Sequence, residues 1–113
     1  RQNLMKSLGA HAAGLGAIAQ NKVPYGDNLA HHADAIAAAA DAAQLAFDQN
    51  LPGGKAGANI WENWEDFSGR FKALASSARE VAAAARSGGM AEAGPKIGGL
   101  FTCKSCHDLY KTE

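Results

Sequence analysis

Residues 59–87 read NIWENWEDFSGRFKALASSAREVAAAARS. Within them Ile60, Trp64, Phe67, Phe71, Leu74, Ala78, Val81 and Ala85 follow one another in alternating steps of four and three. That spacing puts all eight on one helix face, and its heptad character is that of a helix packed in a bundle. Asn59 is placed to cap the start. Ser87-Gly88-Gly89 supplies a glycine stop at the end.

The flanking sequence repeats the pattern on both sides. Leu4, Leu8, Leu15 and Ile18, with Ala12 between them, predict a helix over about residues 1–21. Gly9, Gly14 and Gly16 weaken it, each by up to about 1 kcal/mol relative to alanine. They read best as small residues that let a partner helix approach. Val23-Pro24-Tyr25-Gly26 ends this helix, because proline turns the preceding residue away from helical geometry. Leu29, Ile36, Ala40, Ala43 and Phe47 predict a second helix over about residues 27–48, with Asp27 or Asn28 as its cap. Residues 50–58, with Pro52 and Gly53-Gly54, contain no aromatic side chain and read as a solvated loop. A fourth segment begins near Met90, breaks near Gly94-Pro95 and continues to about Lys111. Four helices with short connections imply an all-α, up-down-up-down antiparallel four-helix bundle, with residues 1–113 as a single domain.

The composition points the same way. Alanine supplies 26 of the 113 residues while valine and isoleucine are scarce, which favours helix over sheet. Eleven Lys and Arg balance eleven Asp and Glu. A neutral chain offers no electrostatic case for nucleic acid or an anionic membrane. Apolar residues at 47% against 19% charged argue against disorder. No apolar run approaches the roughly 18 residues of a transmembrane helix. Residues 1–6 are polar or mixed and unlike a signal peptide, so the chain is expected to be cytosolic or already freed of a leader.

Both cysteines fall in Cys103-Lys104-Ser105-Cys106-His107. C-x-x-C-H is the attachment signature of c-type haem. On a helix the two sulfurs lie one turn apart on one face, where both can meet the vinyl groups of one haem edge. His107, four residues after Cys103, can reach the iron as the proximal ligand. A thioredoxin-like C-x-x-C belongs with a βαβ pattern that is missing from the sequence. A zinc site needs two further ligands, and the adjacent His31 and His32 point to different helix faces. A disulfide within one helical turn would be strained. The motif therefore predicts one covalently bound haem c per chain.

Together these features resemble the cytochrome c′ family. The C-x-x-C-H near the C-terminus, in the last helix, is the specific part. Arg1-Gln2 at the head of the first helix, Pro24-Tyr25 after it and Ile60-Trp61 opening the third are supporting matches. The resemblance extends over essentially all 113 residues and implies haem iron, a periplasmic location and a removed leader. Family members usually carry about ten residues before the arginine, so residues are expected to be missing before Arg1.

The distal side of the iron decides the function. Aligned from Pro24-Tyr25, the family's distal position is Met5, as in the low-spin cytochrome c-556 subgroup. A thioether is a good iron ligand, and Met/His pairs belong to electron-transfer cytochromes; Met5 as an adaptable core filler is the alternative. Met90 is too far along the last segment, and His11, His31 and His32 have no strong claim on the iron. The resemblance also brings Arg1 and Gln2 towards the haem propionates, unless they belong to a frayed terminus. Phe67 and Phe47 are expected in the pocket or in the core, and Trp61 over a haem edge or an interface. Lys111 stands where the family often has arginine. The expected function is one-electron transfer with redox partner proteins, without enzymatic catalysis. The alternative is a five-coordinate iron that binds nitric oxide or carbon monoxide. Dimerisation through the first two helices is compatible with Gly9, Ala12, Ala13 and Gly16.

Overall fold

Alanine-rich sequence with apolar residues at helical spacing forms two 18-residue helices, α1 (Gln2–Ala19) and α2 (Leu29–Ala46). The computed structural model describes residues 1–24, 26–51 and 53–112. Tyr25 and Pro52, two of the expected turn and loop signals, lie outside the described residues. The connection between the helices ends in a 3₁₀ turn at Gly26–Asn28. Asn28 occupies the cap position of α2 without a side-chain capping bond, so the expected cap is positional only.

The stripe of residues 59–87 is divided at its head. A single turn, α3 (Asn59–Glu62), is separated from α4 (Trp64–Ile97) by Asn63, whose φ of −123° and ψ of 41° leave the helical region. Asn59 does not cap this turn. It is the first residue of α3, and its Nδ2 donates to the Leu109 carbonyl at 2.7 Å.

α4 comprises two helices meeting at Gly88 and Gly89. Gly89 has φ +62°, the left-handed conformation that glycine adopts at no steric cost. Beyond this break the chain turns back, and Gly99 comes to lie beside Ser77. The expected interruption at Gly94-Pro95 does not occur there, and helix continues through Pro95 to Ile97. A 3₁₀ turn at Gly98–Leu100 then leads to α5 (Cys103–Tyr110). The result is four helical rods in antiparallel succession, the last rod in two pieces, with no strand among the described residues.

α2 packs along both α1 and α4. Its buried face is largely alanine (Ala33, Ala37, Ala40 and Ala43), which allows close helix approach. Leu15 of α1, Leu29 of α2, Ile60 of α3 and Val81 of α4 are fully buried, each contributing roughly 1.5–3 kcal/mol through the hydrophobic effect. On the outer faces, Arg79 pairs with Asp41 and Arg86 with Asp34, joining α4 to α2. These pairs are exposed and contribute more to alignment than to stability.

The loop before α3 is fastened to the end of the chain. The Gly57 N–H donates to the Tyr110 carbonyl at 2.8 Å, the Thr112 N–H to the Lys55 carbonyl at 2.7 Å, and Ala56 bridges Lys111 in antiparallel fashion. What read as a plain solvated loop is a clasp on the helix that carries both cysteines.

Candidate cofactor site

α5 presents Cys103 and His107 exposed and Cys106 half-buried, all three on the wall of one cleft of about 400 Å³. The two cysteines form no disulfide with each other. Burial raises the Cys106 thiol above its ordinary range, with the Arg70 guanidinium working in the opposite direction. Met5 and Leu8 line the cleft from α1, Phe47 from the end of α2, and Ile60 from α3. Phe67, Phe71 and Leu74 line it from α4. Phe67 makes edge-on contacts with Phe47 at 5.1 Å, Phe71 at 5.2 Å and Tyr110 at 5.1 Å between ring centroids. The interior is therefore apolar and built on rigid rings. Five cations also line it: Arg1, Lys6, Lys55, Arg70 and Lys111. No carboxylate is among the lining residues that are described.

The sequence-predicted residues Arg1, Gln2, Met5, Phe47, Phe67, Cys103, Cys106 and His107 thus share one cleft. Trp61 does not line it. Its Nε1 donates to the Phe47 carbonyl at 2.8 Å, placing the indole behind the wall that Phe47 forms. Arg1 is not frayed: its guanidinium donates to the carbonyls of Ala46 at 3.1 Å, Leu51 at 2.7 Å and Gln49 at 2.7 Å. It also lies 4.9 Å from the Phe47 ring centre and 5.3 Å from that of Trp61. Cation–π contact, the Ala46 carbonyl at the end of α2 and two carbonyls of the loop beyond it hold this cation in place.

Met90 is exposed and outside the cleft, as expected. His31 is exposed, but His32 is not solvent-facing. Its Nδ1 lies 3.0 Å from His11 Nδ1, within hydrogen-bonding distance between α2 and α1. The helices can meet this way because Gly14 leaves room; a Cβ there would lie 2.8 Å from the His32 ring. Burial is the first cause, and His11 the second, of a His32 pKa below its ordinary value.

Arg70 and Asp66 were missed as site residues. Arg70 lines the cleft, lies 5.8 Å from the Tyr110 ring centre and donates from Nε to Asp66 at 3.0 Å. A signal was present: Arg70 sits three residues after Phe67 and immediately before Phe71, on the face that the aromatic stripe turns inward. Lys6 and Lys55 carry no comparable sequence signal.

The donor set fits haem c. Two thiols one helical turn apart, an imidazole on the next residue, an apolar slot and cations, of which Arg70 is paired with Asp66, would meet its vinyl groups, iron, ring and propionates respectively. Fold and site together define a covalent haem protein of the four-helix class. The family profile described as Cytochrome C' matches residues 1–111. The chain is 31% identical to a cytochrome c' of Pararhodospirillum photometricum, over 98% of this chain and 92% of that protein. It is also 31% identical to a cytochrome c-556 of Agrobacterium tumefaciens (strain II Chrys), over 100% of this chain and 94% of the other. Among solved structures, a nitric oxide complex of a leucine-to-alanine mutant of cytochrome c prime from Alcaligenes xylosoxidans superimposes with a TM-score of 0.86. That match covers 100% of this chain and 91% of the other at 22% identity, and it establishes the four-helix fold. The chain belongs to the cytochrome c′ family and is a c-type cytochrome with covalently attached haem c.

Proposed function

We propose that the protein is a one-electron carrier whose haem iron is held between His107 and Met5. Haem c bound in the cleft supplies a metal centre that passes between the ferrous and ferric forms. Cys103 and Cys106 anchor the group from α5, and His107 offers its imidazole lone pair. Met5 offers a thioether, a soft donor that favours the ferrous form and raises the potential. Phe47, Phe67, Phe71 and Leu74 exclude water, which penalises net charge at the centre and raises the potential further. Arg1 and Gln2 stand where they can meet propionate oxygens, and a cation there forms charge-assisted bonds.

One observation carries this reading. Apart from the C-x-x-C-H residues, Met5 is the cleft's one sulfur or imidazole donor among the described residues. The second reading is a five-coordinate iron open to nitric oxide or carbon monoxide, with Met5 packed as a filler. The comparisons favour it: the matching profile is that of cytochrome c' and the similar solved structures include a nitric oxide complex of a cytochrome c prime. Residues 1–113 form one domain in either reading. The relevant partners are redox proteins met in the periplasm, where bacterial attachment of haem to C-x-x-C-H takes place. No described helix is long and apolar enough to cross a membrane.

Absorption spectra of the ferric and ferrous protein, with and without carbon monoxide, separate the two readings. Met5 ligation gives a low-spin spectrum with a near-infrared sulfur-to-iron band, indifferent to carbon monoxide, and Met5→Leu abolishes that band. A high-spin spectrum that shifts with carbon monoxide assigns the protein to gas binding.

A further inference from the structure

The chain is neutral overall, yet its charges are not evenly placed. Of eleven cations, Arg1, Lys6, Lys55, Arg70 and Lys111 line the cleft, and no acidic residue among the described residues does. Arg79, Arg86 and Lys104 elsewhere on the surface are each paired with an aspartate. Lys6, Lys55 and Lys111 are exposed and make no ion pair among the described residues. They come from α1, the loop before α3 and the residue after α5, so the fold gathers them from three distant parts of the sequence.

We propose that this rim is the docking face for an acidic redox protein. The inference rests on the haem reading. Asp66 already pairs with Arg70, and two propionates neutralise at most two of the remaining four positive charges, which leaves the mouth cationic. At physiological ionic strength charge interactions reach about 8 Å, so the rim acts locally although the net charge is zero. Such a patch raises the encounter rate with an anionic partner without requiring a tight complex. Leu51 and Leu109 are more than half exposed, at 55% and 53%. The Leu51 carbonyl accepts from Arg1, and Leu109 lies two residues before Lys111. They supply the small apolar element of a brief redox contact. One electron crosses from the ferrous iron to the oxidised partner, and no bond forms or breaks.

The test uses the haem-loaded protein, with attachment first verified by intact mass. Hexacyanochromate(III), a redox-inert paramagnetic trianion, is titrated into ¹⁵N-labelled ferrous protein. Selective broadening at the amides of Lys6, Lys55 and Lys111, reversed by salt, is expected. The K6E/K55E/K111E variant, and separately the milder K6Q/K55Q/K111Q variant, should lose that broadening while keeping the helical circular dichroism. Oxidation by ferricyanide should slow by about tenfold or more at low ionic strength in the charge-reversed variant, and oxidation by the tris(phenanthroline)cobalt(III) cation should quicken. A mass without haem overturns the cofactor reading and this inference with it. A haem-loaded protein whose broadening centres on Lys22, Lys72 or Lys96, or persists in both variants, overturns the docking face alone. Sedimentation with phosphatidylglycerol vesicles, abolished in the same variants, would also overturn it by assigning the rim to a membrane.

Discussion

The Tyr110 hydroxyl donates to the Asp66 carboxylate, which also accepts from Arg70 Nε at 3.0 Å. Tyr110 is one helical turn beyond His107, and Asp66 immediately precedes the cleft residue Phe67. This bond therefore fixes the register of the haem-bearing helix against α4. Its electrostatic signature is mutual: the hydrogen bond from Tyr110, then that from Arg70, holds Asp66 below the usual carboxylate range. The same bond raises the Tyr110 phenol above its own.

Tyr110→Phe keeps the ring that packs on Phe67 and removes only the hydroxyl. The expected outcome is a folded, haem-bearing protein in which the amides of α5 exchange severalfold faster with solvent, while those of α2 are unaffected. Native-state hydrogen exchange reads this residue by residue. Unchanged protection across residues 103–110 would show that the clasp at Gly57 and Asn59 suffices to hold the helix.

The rods and the attachment motif were legible in the sequence because both are local. Alanine content, the stripe from Phe67 to Val81 and the spacing of Cys103, Cys106 and His107 each depend on residues one or two turns apart. The break at Gly88-Gly89 was legible for the same reason, since only glycine occupies φ +62° at no steric cost. What was not legible depends on reversal of the chain. Arg1 reaches carbonyls 45 to 50 residues away, and Asn59 serves Leu109 rather than its own helix. The contact of His32 with His11 was not legible either, because neither its neighbours nor its spacing reveals that His11 faces it from α1. Pro95 read as a helix breaker on its type alone, yet helix continues through it to Ile97.

Gly14→Ala should separate α1 from α2 locally. The added Cβ would stand 2.8 Å from the His32 ring, closer than real contacts allow, so the imidazole must swing away and its contact with His11 Nδ1 is lost. Overpacking of this kind costs about 1–3 kcal/mol. Helix propensity works the other way, by up to about 1 kcal/mol, because alanine replaces glycine. Urea unfolding should show net destabilisation in the single variant and net stabilisation once His32 is also shortened to alanine. A stabilised single variant would mean that the ring yields without cost.

The same pair makes stability depend on pH. The folded protein holds His32 below its ordinary pKa, so the unfolded chain binds more protons as the pH falls past about 6.5. The His32 contribution is present above that value and is lost as the pH drops through the lower, folded pKa. Thermal midpoints should therefore fall between pH 7.5 and pH 5, and part of that fall should vanish in His32→Gln. Equal pH slopes in the two proteins would place the titration elsewhere.

Phe67 is the residue on which core and cleft depend together. It is buried at 3% exposure and touches the rings of Phe47, Trp64, Phe71 and Tyr110. Phe67→Ala removes the hub of that cluster and opens its space into the existing cleft. Truncations of this type cost about 3–5 kcal/mol, a large share of a small domain's stability. Phe67→Leu should cost less, since it keeps most of the apolar volume. Urea unfolding should move the midpoint down in that order with little change in slope. Because Tyr110 packs on the same ring, Phe67→Ala should also weaken protection of the α5 amides, as Tyr110→Phe does. A double variant less destabilised than the sum of the two singles would show that ring contact and hydroxyl bond hold α5 as one unit.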